Sequence, residues 1–235
     1  MSNPVTTRAR GQKSHWNTWF KKNEVRLGFR RRLNTSRDAL FAATFLFCLV
    51  QSAAGQDWTQ WRGPTRDGLV PASAVPAAWP ESFRRLWRVE TGEGYSSPVV
   101  SRGRVFIHSR LDPEEVVTAI DLSKGEIVWQ QKYPAAFQKN QYAVNMAKGP
   151  NATPLVIGDR LFTLGVTGVL IGWDAAKGKQ LWIKDFSKTV DTSKLFCGTA
   201  ASPLATGGLL VVQVGSDVHG GQILAVDPAT GAQKW

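Results

Sequence analysis

Three times in this chain an aspartate is followed four residues later by glycine and eight residues later by tryptophan. The aspartates are Asp121, Asp174 and Asp227, the glycines Gly125, Gly178 and Gly231, and the tryptophans Trp129, Trp182 and Trp235. Successive tryptophans of this set lie 53 residues apart, and Trp87 precedes Trp129 by 42. A second shared piece stands upstream of each aspartate: SSPVVSRGRVFIHS from Ser96, ATPLVIGDRLFTLG from Ala152 and ASPLATGGLLVVQV from Ala201. Two separate motifs recurring in one order at this period mean that one supersecondary unit is built three times.

The physics of that unit is readable. Ser/Thr-Pro opens a strand where the missing proline N–H does little harm. Gly103, Gly158-Asp159 and Gly207-Gly208 supply the turn between strands one and two. The next strands alternate with period two, Val105 and Ile107 against Phe106 and His108. In Asp-x-x-x-Gly the carboxylate can accept local backbone N–H bonds, and glycine takes the positive φ that a tight turn needs. The tryptophan then falls on a fourth strand. A four-stranded antiparallel sheet of about 45 residues is the size of a propeller blade. One blade cannot cover both its faces, so the indoles are expected between neighbouring blades. Burying about 200 Å² of indole stabilises by roughly 5 kcal/mol at most.

The expected fold is therefore all-β: a β-propeller of four-stranded antiparallel blades, three of them present, preceded by a signal-like helix. The expected organisation is a leader over 1–55, an extended lead-in over 56–84 and a partial propeller over 85–235. Its repeats run over 87–129, 130–182 and 183–235.

The net charge of +11 belongs mostly to the leader. Ten of the 29 Lys/Arg residues and only two of the 18 acids fall within residues 1–55. The rest of the chain is near neutral and carries no nucleic-acid footprint. Ala39–Val50 (ALFAATFLFCLV) follows the basic stretch and precedes the small residues QSAAGQ. That is the order of a secretory signal, with cleavage near Ala54 or Gly55, and it is too short for a comfortable bilayer span. Export to the periplasm or cell exterior is expected, with an uncleaved membrane anchor as the alternative. Cys197 is alone once Cys48 is removed with the leader, so no internal disulfide is expected.

The pattern Ala/Gly-x-Asp-x-x-x-Gly-x-x-x-Trp over residues 85–235 resembles the repeat of the pyrroloquinoline-quinone-like (PQQ-like) family. That family includes quinoprotein dehydrogenases and a scaffold lipoprotein of outer-membrane protein assembly. DWTQWRGPTRDG (Asp57–Gly68) resembles the opening motif of secreted PQQ-like proteins of planctomycete-type bacteria, matching at Trp58, Trp61, Arg62, Gly63, Pro64, Arg66, Asp67 and Gly68. The resemblance implies a ring of about seven or eight blades, so the three units are expected to be a fragment. It also implies that Asp57–Gly68 docks on the propeller.

Two insertions lengthen the route from one tryptophan to the next first strand, residues 133–150 and 186–199. Such loops on a rigid scaffold carry function. The first offers Lys139, Asn140, Gln141, Tyr142, Asn145 and Lys148, and the second Asp191, Lys194 and Cys197. Amides, a phenol and ammonium groups suit a sugar, a peptide or an anionic ligand, while solvated loops without a ligand are the plain alternative. His15, His108 and His219 are scattered without zinc spacing, and no calcium-loop, Gly-x-Ser-x-Gly or phosphate-loop pattern is present. The leading expectation is a non-catalytic exported module that binds or scaffolds a protein or polysaccharide at the cell envelope, with no cofactor. The alternative is a PQQ-dependent dehydrogenase of alcohols or aldoses, which would need PQQ and calcium.

Overall fold

The computed structural model describes residues 56–216 and 220–235. The leader, its signal-like helix and cleavage site, Cys48, His15 and His219 lie outside the described residues. The described part contains eleven strands. They are β1 (Val99–Ser101), β2 (Arg104–Leu111), β3 (Glu114–Asp121), β4 (Ile127–Pro134), β5 (Leu155–Ile157), β6 (Arg160–Leu164), β7 (Val169–Asp174), β8 (Gln180–Asp185), β9 (Leu204–Thr206), β10 (Leu209–Val214) and β11 (Gln222–Val226). They pair in chain order into three antiparallel sheets, β1–β4, β5–β8 and β9–β11. The only helical segments among the described residues are three 3-10 turns of three residues each.

The sheets are successive propeller blades stacked face to face. Val99, Phe106, Val117, Ala119 and Trp129 of the first meet Val156, Leu161, Ile171 and Trp173 of the second. Leu155, Phe162, Leu164 and Leu170 on the opposite face of the second meet Leu210, Val212, Val214 and Leu224 of the third. The middle sheet is therefore covered on both sides, which is why β7 reads VLIGWD with five consecutive buried residues. In the third sheet residues 232–235 lie along β11 in the place of a fourth strand. Val226 bridges Gln233, and Ala225 bonds the backbones of Lys234 and Trp235.

The recurring triad makes each interface. The Oδ1 of Asp174 accepts the N–H groups of Ala176 at 2.8 Å and Lys177 at 2.9 Å, and Gly178 closes the turn at φ +69° by donating to the Asp174 carbonyl. Asp121 and Asp227 build the same turn with Gly125 and Gly231. The Ser123 hydroxyl first, and then the backbone N–H groups, hold the Asp121 carboxyl below the usual carboxylate range, and the Ala229 N–H first does the same for Asp227.

The tryptophan of each blade lies on the turn of the next. Trp87 donates its indole N–H to the Leu122 carbonyl at 2.9 Å, Trp129 to Ala175 at 3.0 Å and Trp182 to Pro228 at 3.1 Å. Each acceptor is the residue directly after the turn aspartate. A β-carbon on Gly178 would stand 2.6 Å from the Trp129 ring, and one on Gly231 would stand 2.7 Å from Trp182. Glycine is thus required both by its φ and by the indole resting on it. Just before Trp129 and Trp182 the ladder also slips by one residue, a bulge repeated in both complete blades.

Gly178→Ala is expected to cost about 1–3 kcal/mol from strain and overpacking. That cost should shrink in a Trp129→Ala background, where the clash is gone, and a double-mutant cycle by urea unfolding reads the difference.

The inner strands β1, β5 and β9 neighbour one another. The Ser/Thr before the second and third of these prolines does more than open a strand, because its hydroxyl accepts a backbone N–H from the preceding blade. Thr153 Oγ1 accepts from Ser97 at 3.3 Å, and Ser202 Oγ from Thr153 at 2.9 Å. Asp57–Arg66 runs across all three inner edges. Asp57 accepts from the Ser101 hydroxyl and the Arg102 N–H, Trp58 pairs with Val100, Thr59 accepts from Val156, and Arg66 reaches the Pro203 carbonyl.

Candidate functional site

Antiparallel order places the β2–β3 hairpin, the β6–β7 turn and both exits toward the next blade at one end of the sheets. The two insertions therefore rise from the same end, and they touch. Asn151 Nδ2 donates to the Cys197 carbonyl at 2.8 Å, and a β-carbon on Gly198 would stand 3.1 Å from the Phe137 ring. Thr199 N–H anchors the second insertion to the Val166 carbonyl of the β6–β7 turn.

Within the first insertion the candidate residues divide into two groups. Lys139 Nζ donates to the carbonyls of Val144 and Met146, both at 2.6 Å, so it braces the loop from inside. Asn140 accepts the Tyr142 N–H at 3.0 Å and starts a 3-10 turn. Lys148 pairs with Asp112 at the β2–β3 hairpin. These three groups make their bonds within the loop and to the hairpin beside it. Gln141, Tyr142, Val144 and Asn145 are left outward, with Tyr142 77% and Val144 60% exposed. In the second insertion Asp191 and Lys194 are on the surface, Phe196 is 54% exposed, and Cys197 is a half-buried free thiol.

Beneath the loops lies a buried polar cluster that reading the motifs missed. His108, Arg110, Glu115 and Tyr133 are all buried between the first two blades. Tyr133 donates to Glu115 Oε2 at 2.5 Å, His108 Nε2 lies 3.2 Å from the same oxygen, and the Val166 N–H donates to Oε1 at 2.9 Å. Arg110 Nη1 is 4.0 Å from Oε1. Burial pushes the Glu115 carboxyl up. The bond and charge of His108, with Tyr133 and Val166, outweigh it and hold the group below its usual range. Burial and the Glu115 charge push the Tyr133 phenol well up.

The signal was present in the alternation. Arg110 and His108 share a face with Phe106, and Glu115 shares one with Val117, so three ionisable residues occupy core positions where apolar ones are the rule. A β-carbon at Gly165 would collide with Glu115 and Tyr133, so the neighbouring turn has to be bare there.

A groove of about 500 Å³ lies beside the inner strands, lined by Trp61, Arg66, Tyr95, Asn151, Ser202 and Gln213 among others. Arg62 and Arg66 lie over the Trp61 ring at 5.5 and 5.8 Å, and both take positive φ. Among the described residues no group of three or more His, Cys, Asp or Glu side chains is placed to hold a metal ion.

The family described as outer membrane protein assembly factor BamB matches residues 113–235. The assembly factor BamB of Vibrio cholerae is 30% identical over 159 residues, which cover 68% of this chain and 32% of that protein. Its counterpart in Aliivibrio fischeri is 33% identical over 106 residues, 44% of this chain and 26% of that protein. The chain thus spans about a third or less of the length of these two relatives. Among solved structures, a europium-containing methanol dehydrogenase aligns at 25% identity and TM-score 0.49 over 65% of this chain and 26% of its own. BamB from Moraxella catarrhalis aligns at 20% identity and TM-score 0.36, over 57% and 32%. With the match spanning the β3–β4 hairpin and both later blades, the chain belongs to the family of the outer membrane protein assembly factor BamB.

Proposed function

We propose that this protein is an exported scaffold of the cell envelope that takes part in outer-membrane protein assembly by holding a protein partner on its insertion loops. The observation that carries this reading is the exposure of Tyr142, Val144 and Phe196 on two loops whose backbones are pinned to rigid blades. Exposed aromatic residues on an ordered loop contribute contact area at low entropic cost, which is what binding anchors do. The names of the relatives supply the assembly context.

The test places a photocrosslinking residue at Tyr142, Phe196 or, as a control on an outer strand, Leu181, in the full-length chain in its own cells. Adducts with outer-membrane assembly proteins are expected from 142 and 196 and not from 181. No protein adduct, or adducts with polysaccharide instead, would overturn the reading. Tyr142→Ala with Phe196→Ala should weaken capture of the crosslinked partner by about tenfold or more.

A further inference from the structure

We infer that Lys148 and Arg110, joined through Asp112, are positioning residues that hold the 136–147 loop in the form that presents Tyr142 and Val144. The inference deepens the reading of that loop as a binding surface and rests on it.

The argument begins at the two ends of the loop. Ala135, where the loop leaves β4, gives its carbonyl to Arg110 Nη2 at 2.7 Å. Lys148, where the loop returns, pairs with Asp112 Oδ2. Arg110 closes the circuit, with Nε and Nη2 on Asp112 Oδ1 at 3.1 and 2.9 Å. One carboxylate on the β2–β3 hairpin therefore receives the start of the loop through an arginine and its end through a lysine.

The arginine is held by burial and by the hairpin itself, through Asp112 and the Pro113 carbonyl. Its side chain is fully buried, 4.0 Å from the buried Glu115. A free surface ion pair is worth little because two mobile side chains must be ordered. Here Arg110 is already ordered by the core, so Lys148 is the only long side chain that closing the clip has to immobilise. The loop between is braced by Lys139 on Val144 and Met146, and Tyr95 Oη accepts the Ala147 N–H at 3.3 Å. With its base tied and its middle braced, the loop points Tyr142 and Val144 outward.

The clip also explains the sequence. Lys148 stands among small residues, Ala147 and Gly149, and the β2–β3 hairpin carries Asp112 at its tip. In blade two the hairpin carries no acidic residue at the corresponding place. Its β6–β7 turn is Gly165–Gly168, and its insertion is fastened by backbone bonds from Thr199 and Phe186.

Hydrogen–deuterium exchange on the full-length chain tests this. Lys148→Met is expected to raise exchange over 136–147 by about tenfold or more, while β5–β7 and the thermal midpoint stay as in the parent. Lys148→Arg, which can still reach Asp112, is expected to restore the slow exchange. Unchanged exchange in Lys148→Met, or equal loosening of Lys148→Arg and Lys148→Met, overturns the inference. Crosslinking through position 142 separates it from the binding reading. A loop that loosens in Lys148→Met, in a chain whose position 142 gives no protein adduct even in the parent, leaves the clip standing and removes the binding role. A loop that stays closed while 142 still crosslinks removes the clip and keeps the role.

Discussion

Trp129→Ala in the full-length chain should lower stability by about 3–5 kcal/mol, read as a shift of the urea midpoint. Trp129 is 8% exposed, and its ring packs on Gly178, near Phe106 and among the side chains of both blades. Truncation removes that burial, breaks the bond to the Ala175 carbonyl and leaves a hole that β-sheet backbones cannot close. A loss below about 1 kcal/mol would mean that Trp129 is not an inter-blade wedge.

Glu115→Ala should cost a similar amount, about 3–5 kcal/mol, for a different reason. No large volume is lost. His108 remains buried without its carboxylate, Arg110 keeps only the Asp112 carboxylate, and the Tyr133 hydroxyl and Val166 N–H lose their acceptor. Glu115→Gln keeps the shape and should cost less.

The acid dependence of the two proteins separates charge from shape. In the folded chain the Glu115 carboxyl titrates below its ordinary value of 4.5, so protons bind it more readily in the unfolded state. Its stabilising contribution is therefore complete above about pH 4.5 and is lost as pH falls through the lower folded value. Asp112, Asp121 and Asp227 are depressed in the same direction, and both proteins retain them. The stability gap between parent and Glu115→Gln should thus narrow on acidification. A gap that widens would show that Glu115 is held neutral in the fold.

The blades were legible because their signals are local and repeated. Asp121, Gly125 and Trp129 lie within nine residues, and each constrains a turn or a strand by its own stereochemistry. The partner of each indole was not legible. Leu122, Ala175 and Pro228 are used through their carbonyls, and a backbone atom leaves no mark on residue identity. The same holds for Thr153 and Ser202, whose hydroxyls look like strand openers until a neighbouring blade supplies the N–H. The insertions were found as departures from the repeat. Lys148 ties the loop down through Asp112, 36 residues away, and Lys139 braces it through the carbonyls of Val144 and Met146, neither of which residue identity reveals. The buried cluster could have been found by asking why Arg110 and Glu115 keep core parity.

Every hook between blades ends on main chain or on a bare glycine: an indole N–H on a carbonyl, a hydroxyl under an amide, a ring on Gly125, Gly178 or Gly231. The receiving blade needs a turn of the right shape, a hydroxyl before its proline and an apolar inner face, and side chains outside these can drift without unfastening its neighbour. A stack joined this way tolerates duplication, exchange or deletion of whole units, because any donor edge fits any acceptor edge. Selection is then free to rewrite the loops at one rim while the joints stay the same.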